Sequence, residues 1–394
     1  MPVTRRNLIT VLTLVGGGAV AATGAAVGVG AERAGMIHPD MSPFEAWRAL
    51  ARARAGDPLS IVAAGILAAN PHNTQPWIFE VGADRIRLRA DEGRNLGSFD
   101  PFRREMWLGL GCAVENMVQA GPALGFDVTV DLAAEAGEAM PHVALGLTPR
   151  APEGRAILAT MAERRSNRTP YETRPIPAEL AGRLTALARG DGARLKLFEA
   201  GGDPGRRFGQ ATIDATRAIN ADPQMSLDSH HWYRATPREV SRSRSGLSVP
   251  TSGLSPLITF AGQLLPRPGP KAQGDYWLAS TSKQMAGSAV FGTIAVDDLY
   301  DRGQQLAAGR LWQRLQLALT VAGLASQPVN QLPERVDRAR QQGRISEAEH
   351  AAAIVDGFGD GHVTFAFRAG YAEAAAPHSA RRRLAEVARP LSEG

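Results

Sequence analysis

Asn70-Pro71-His72-Asn73-Thr74-Gln75-Pro76-Trp77 gathers amide side chains, two prolines and an indole into eight residues, and its reading decides the fold. Ile61 to Ala69 before it is apolar at helical spacing, and Ile78-Phe79-Glu80-Val81 after it reads as a short strand. Each proline limits its own φ and pushes the residue before it out of the helical region. The loop is therefore rigid. Asn73 and Gln75 are expected to stand out from the scaffold with donors and acceptors free, which suits a planar, hydrogen-bonding ligand. The same residues would also serve as an ordinary helix-to-strand loop around a buried Trp77.

At 394 residues, 44% of them apolar, the chain is long enough for two domains or one large one with a full core. Its net charge of +5 comes from arginine, since Lys196, Lys271 and Lys283 are the only lysines. Nucleic-acid binding would need those arginines on one face with interleaved aromatics; they are scattered, and aromatics make up only 6% of the chain. A guanidinium is a better fork for phosphate oxygens than an ammonium, so a phosphorylated small molecule fits better than a polymer. Cys112 is the only cysteine, which excludes an intramolecular disulfide, a cysteine-based zinc site and an iron–sulfur cluster. With Leu110 and Val114 nearby it reads as a buried helical thiol. His230 and His231 are adjacent with no further ligand pattern and make poor chelators, so no metal is expected.

Arg5-Arg6 precede a glycine-rich run from Leu8 to Ala31 that carries no charge. Residues 1–33 are read as an export signal that resembles the twin-arginine type, with a candidate cleavage site at Val29-Gly30-Ala31. The run is also long enough to span a bilayer if retained. The expected location is periplasmic or in the cell envelope, with membrane contact only through an uncleaved signal. The twin-arginine route carries folded proteins, which agrees with a tightly held ligand taken up first.

From Pro43 to Ala55 an amphipathic helix with Phe44, Trp47 and Leu50 on one side is expected. Arg85 to Ala90 alternates as a half-exposed strand, and Glu105 to Ala123 carries Trp107, Leu110, Val114 and Met117 as a core helix. Phe126 to Leu132 and His142 to Leu147 are short strands. A second unit opens near Ala156, where a helix closes on Arg164-Arg165-Ser166-Asn167-Arg168. Residues 222–274 are polar and broken by seven prolines, from Pro223 to Pro270, and are expected to form a long irregular loop that acts as an ordered lid. Ala289 to Val296 is a buried strand, Asp297-Asp298 are expected to cap the helix that runs to Ala322, and Ser326-Gln327-Pro328 lie in a small-residue loop. Val363 to Phe367 is the last strand, followed by Gly370-Tyr371 and Arg381-Arg382-Arg383.

Asn73-x-Gln75-Pro76-Trp77 resembles the flavin-contacting loop of the nitroreductase family, which typically reads Pro-Ser-x-x-Asn-x-Gln-Pro-Trp; Pro71 also matches, and His72 stands where serine is usual. Arg-Arg-Ser-x-Arg at 164–168 resembles the segment that holds the FMN phosphate there. The helix ending at Gly323 with the loop Leu324 to Asn330 resembles the element beside the reactive face of the flavin, and Gly370-Tyr371 to Arg383 resembles the basic C-terminal segment. The resemblance implies FMN as cofactor. Arg164, Arg165, Ser166, Arg168, Arg381, Arg382 and Arg383 would serve the phosphate, Asn73 and Gln75 the pyrimidine edge, and Pro71, His72 and Pro328 the ring, with no side chain required as general acid or base.

In that family both motifs occur in each subunit of a homodimer, arginines first. Here the amides lie in residues 34–155 and the arginines in 156–394, so each half keeps what the other lacks. The implied fold is α+β, a duplicated nitroreductase-like fold in one chain, with two antiparallel-type mixed sheets packed with helices as a pseudo-dimer. A monomer is then sufficient for one FMN site. This arrangement resembles the Acg-type subgroup. Three functions stay open: an oxidoreductase passing electrons from NAD(P)H to a nitro compound or quinone, a protein that sequesters FMN without turnover, and a flavin-free scaffold.

Overall fold

The computed structural model describes residues 30–133, 141–190 and 192–391. The arginine pair and nearly all of the uncharged run lie outside the described residues; among these, no helix is long and apolar enough to cross a membrane.

The amphipathic segment at 43–55 is shorter than its pattern suggests. It forms α1 (Glu45–Ala49) between two single turns, yet buries Trp47 and Leu50 as expected. α2 (Pro58–Gly65) starts from an Asp57 cap that accepts from the Leu59 amide at 3.0 Å, with Pro58 in the first turn where no N–H is missed. The loop motif then leads into β1 (Trp77–Val81) and β2 (Arg85–Ala90), paired antiparallel so that Trp77, Phe79, Ile86 and Leu88 all enter the core. α3 (Arg104–Ala120) follows, then β3 (Phe126–Ala133) and β4 (His142–Pro149).

The later half opens with α4 (Ala156–Glu163), α5 (Ala178–Ala186), β5 (Arg194–Glu199) and α6 (Asp203–Ala221). Residues 222–274 are not an irregular loop. They form α7 (Pro223–His231), the two-residue strands β6 (Tyr233–Arg234) and β7 (Leu247–Ser248), α8 (Pro237–Ser243), α9 (Pro256–Leu264) and the start of α10 (Pro270–Ala286). Pro223, Pro237, Pro256 and Pro270 occupy first-turn positions, so these prolines start helices where they were expected to break structure. Leu96, Phe99, Ile219, Met225 and Trp232 form a small core under this segment.

β8 (Val290–Val296) precedes α11 (Arg302–Val321), which is capped by Asp301 through the Gln304 amide at 2.8 Å. Asp297 and Asp298 sit in the preceding turn and do not cap the helix; Asp298 accepts from the Tyr300 amide instead. Gly323 ends this region in the left-handed conformation at φ 71°. The segment read as a small-residue loop is β9 (Ala325–Pro328), followed by α12 (Gln331–Gln341), α13 (Ile345–Asp356), β10 (His362–Gly370), α14 (Leu384–Val387) and β11 (Ala388–Pro390).

The fold is α+β with two main sheets. One has the order β11-β1-β2-β4-β3 and the other β5-β8-β10-β9. All pairs in these two sheets are antiparallel except β1 with β11, so the C-terminal strand completes the sheet of the first half. One apolar core runs through both halves. Its axis is the crossing of α3 and α11, where Gly111 and Gly309 leave no room for a side chain: a Cβ on Gly309 would lie 2.0 Å from the Leu108 carbonyl oxygen, and one on Gly111 2.2 Å from that of Leu306.

Candidate functional site

Both residues before the prolines of the 70–77 loop lie outside the right-handed helical region. Asn70 before Pro71 is extended, and Gln75 before Pro76 is left-handed at φ 54°. His72 and Asn73 are also left-handed, at 45° and 55°, an unusual concentration of strain for non-glycine residues. Asn70 holds the turn closed by accepting from the Gln75 amide at 2.8 Å.

Against expectation, the amides of Asn73 and Gln75 are not free. Asn73 Nδ2 donates to the carbonyls of Ala380 (3.0 Å) and Gly246 (3.3 Å), and its Oδ1 accepts from Arg381 at 2.7 Å. Gln75 Nε2 donates to the Arg244 carbonyl at 2.7 Å, and its Oε1 accepts from the Arg382 amide at 2.8 Å. A buried amide must satisfy both ends, and here the C-terminal segment and the 244–246 strap satisfy them.

A cavity of about 320 Å³ lies beside this loop. Its walls come from both halves: Pro71 and His72 from the loop, Cys112 from α3, Ser166 and Arg168 from the arginine segment, Pro328 from β9. The 222–274 segment and α10 close it with Tyr233, Thr251, Tyr276 and Trp277 among others. Arg168 reaches this cover, donating to the Thr251 carbonyl at 3.1 Å. Burial lowers the Arg168 pKa, and burial with the Arg168 charge brings His72 to about 4, so His72 is a neutral imidazole. Cys112 is buried as read from sequence, with Sγ 3.2 Å from the Gly309 carbonyl, and burial holds it as the thiol.

Behind the wall lie two more buried arginines. Arg164 donates to Gln316 Oε1 (2.9 Å) and the Leu67 carbonyl (3.1 Å), while Arg381 donates to Leu67 (3.3 Å), Ala68 (3.2 Å) and Asn73. Burial drives both pKa values down, Arg164 to about 10 and Arg381 well below the ordinary value, where the Arg164 charge adds to the effect. Neither has a carboxylate partner among the described residues, and neither Nε has any partner. Arg165, half-exposed, donates to the carbonyls of Glu163 and Ala376.

The remaining expected residues are committed elsewhere. Arg382 pairs with Asp91 at 3.3 Å and Arg383 with Glu386 at 2.9 Å, on carboxylates that neutralise them. The structure thus brings Pro71, His72, Ser166, Arg168 and Pro328 to one cavity, sets Arg164 and Arg381 behind it, and turns Asn73, Gln75, Arg382 and Arg383 to internal contacts. Sequence reasoning missed Glu105, Gln331 and Glu334 among the lining residues, since α12 had no motif to announce it; Asn330 ends the segment read as passing beside the flavin.

No family model matches the chain. It is similar to two Mycobacterium tuberculosis proteins, from strains CDC 1551 and H37Rv, each named "Putative NAD(P)H nitroreductase": 26% identical over 337 residues, covering 83% of this chain and 90% of the relative. Among solved structures it overlaps the FMN-dependent nitroreductase NfnB of Mycobacterium smegmatis in complex with NADPH (TM-score 0.38, 17% identical, 57% of this chain and 93% of that one). It also overlaps an FMN-bound nitroreductase of Bacteroides fragilis (TM-score 0.33, 14% identical, 58% and 94%).

Proposed function

We propose that this nitroreductase-like chain binds FMN between its two halves and works as an NAD(P)H-dependent oxidoreductase that reduces nitro compounds or quinones. The observation that carries the reading is Arg168, a guanidinium on the cavity wall with no carboxylate partner among the described residues, backed by two more buried guanidinium groups, Arg164 and Arg381, that lie behind that wall. Like charges buried together cost stability unless a counter-anion joins them, and a phosphate offers oxygens that match the guanidinium fork. The unpartnered Nε atoms of Arg164 and Arg381 fit this need.

In this reading Ser166, on the cavity wall, donates to the phosphate, and Arg164, Arg165 and Arg381 supply positive charge from behind it. Arg168 places a positive charge by the ring, with Pro71, neutral His72 and Pro328 forming apolar or uncharged walls. FMN supplies the hydride chemistry when bound, and the protein supplies position and electrostatics. The same reading makes the chain a fused pseudo-dimer of the Acg type with one site, divided near residue 155, and exports it by a twin-arginine route. A reporter fused to residues 1–33, exported only when Arg5 and Arg6 are intact, tests the last point.

The alternative is storage of FMN without turnover. It is favoured by one observation, the enclosure of the cavity by residues 222–274 and α10. Anaerobic titration of the FMN-loaded chain with NADH and NADPH decides between the two. Bleaching of the flavin spectrum establishes the oxidoreductase, a bound flavin that stays oxidised establishes storage, and a chain that takes up no FMN sinks both.

A further inference from the structure

Helix α12 carries two oxygen atoms at the cavity that have no hydrogen-bond partner, Gln331 Oε1 and Glu334 Oε2. The residues are three apart and so share one face of the helix, and each is only 5% exposed. Most polar groups around them are committed, although Arg104 Nη2 has no hydrogen-bond partner. Asn330 donates to Glu105 Oε1 at 3.1 Å and accepts from the Ala366 amide at 2.9 Å, and Arg104 and the Tyr300 hydroxyl both donate to Asp337 at 2.8 Å. Buried polar atoms are normally satisfied, so two orphaned oxygens on one face of a cavity point to a ligand.

The pair is not a duplicate acceptor. Burial, the charge of the adjacent Glu105 and a hydrogen bond shared with it push the Glu334 carboxyl well above the ordinary carboxylate range, with Asp337 adding to the effect and Arg104 opposing it. Glu105 itself is raised to about 7 by burial, with Asp100 and Asp337 raising and Arg104 lowering. Glu334 is therefore the neutral acid at neutral pH, its proton shared with Glu105 until a ligand carbonyl competes for it, while Gln331 offers an acceptor.

We propose that this wall of the cavity is a subsite for a planar lactam or carboxamide edge, the Glu334 O–H donating to its carbonyl and Gln331 Oε1 accepting from its N–H. The proposal rests on the function proposed above, under which two ligands bring such an edge: the pyrimidine ring of FMN and the carboxamide of a nicotinamide. The amides of Asn73 and Gln75, expected for this task, are spent on the chain's own carbonyls, whereas α12 holds unpartnered oxygens.

Calorimetric binding to the full chain separates these ligands. The probes are FMN, FMN methylated at the pyrimidine N–H, 1-methylnicotinamide and its N,N-dimethyl carboxamide analogue, each titrated into wild type, Gln331→Leu, Glu334→Gln and Glu334→Leu. For the ligand seated here, blocking its N–H weakens wild-type binding about tenfold and changes Gln331→Leu little. Glu334→Leu weakens it about tenfold, and Glu334→Gln, which keeps a donor, stays within about threefold. Wild-type affinity falls as pH rises through the Glu334 titration, and the fall is absent in Glu334→Gln. A response confined to the flavin pair assigns the subsite to FMN, and one confined to the nicotinamide pair assigns it to NAD(P)H. If FMN binds but both pairs ignore methylation and all three variants, the subsite is wrong and the flavin reading stands. If the nicotinamide pair responds while FMN does not bind, the subsite stands without the flavin; if nothing binds, both are overturned.

Discussion

Arg164 and Arg381 donate to a single acceptor: their Nη2 atoms lie 3.1 Å and 3.3 Å from the carbonyl oxygen of Leu67. Both also lie over the Trp47 ring, at 5.6 Å and 4.5 Å from its centroid. Two arginines from opposite ends of the second half are thus held as a pair of like charges in the core, on a carbonyl and an indole that the first half supplies.

That pair predicts an anion-dependent stability. Sulfate or inorganic phosphate at millimolar concentration should raise the melting temperature of the wild-type chain, and the rise should vanish in Arg381→Gln. In the same variant FMN should bind on the order of ten- to a hundredfold more weakly, the range expected for one charge-assisted contact. Riboflavin, which lacks the phosphate, should bind wild type and variant alike. Equal losses for FMN and riboflavin would place the phosphate elsewhere.

His378 reports the same cluster through pH. It stacks on Trp47 at 4.4 Å, donates Nε2–H to the Ala162 carbonyl at 2.8 Å, and has its pKa lowered to about 4 by burial and by Arg165, Arg164 and Arg381. The folded chain resists a proton that the unfolded chain accepts near pH 6.5. The stability attached to the neutral ring is therefore complete above the unfolded value and is lost as pH falls toward 4. Denaturant unfolding of wild type and His378→Gln at several pH values should show a difference that shrinks on acidification. Added sulfate should narrow the window, because an anion beside the arginines raises the His378 pKa.

How far the sequence reveals this structure follows from what each element depends on. β2 was legible to the residue, since Arg85 to Ala90 alternates and nothing remote contradicts it. The cover was not, because seven prolines read as breaks when four of them start helices, a distinction set by the turn each proline enters. Motif spacing brought Pro71, His72, Ser166, Arg168 and Pro328 to one cavity. It could not show that Asn73 and Gln75 would be consumed by carbonyls at 244, 246 and 380, partners at sequence distances no local pattern encodes.

The crossing of α3 and α11 makes a stability prediction with an internal control. Gly309→Ala forces a methyl group against the Leu108 carbonyl, and Gly111→Ala does the same against that of Leu306. Because the obstacle is backbone in both cases, the helices must separate, and each variant should lose about 3 kcal/mol or fail to fold. Gly182 sits exposed in α5, and a methyl group added there would meet no atom within 4 Å. Gly182→Ala should stabilise by roughly 0.5–1 kcal/mol through helix propensity. Urea unfolding of the three variants measures both signs.

The contacts of Asn73 and Gln75 imply that the 244–246 strap is held shut by the motif. Gln75 Nε2 bonds the Arg244 carbonyl, Asn73 Nδ2 bonds the Gly246 carbonyl, and the Gly246 amide returns a 3.0 Å bond to the Asn73 carbonyl. Arg244 is left-handed at φ 49°, a conformation an arginine keeps only when its surroundings enforce it. Gln75→Ala removes the side-chain partner of the Arg244 carbonyl and of the Arg382 amide together, each a half-buried group whose loss costs about 1 kcal/mol. Local opening of residues 244–248 should then become on the order of tenfold or more frequent, seen as faster amide exchange there, with β8 and β10 in the second sheet unaffected. Exchange accelerated evenly across both sheets would mean that Gln75 supports the whole fold rather than the strap.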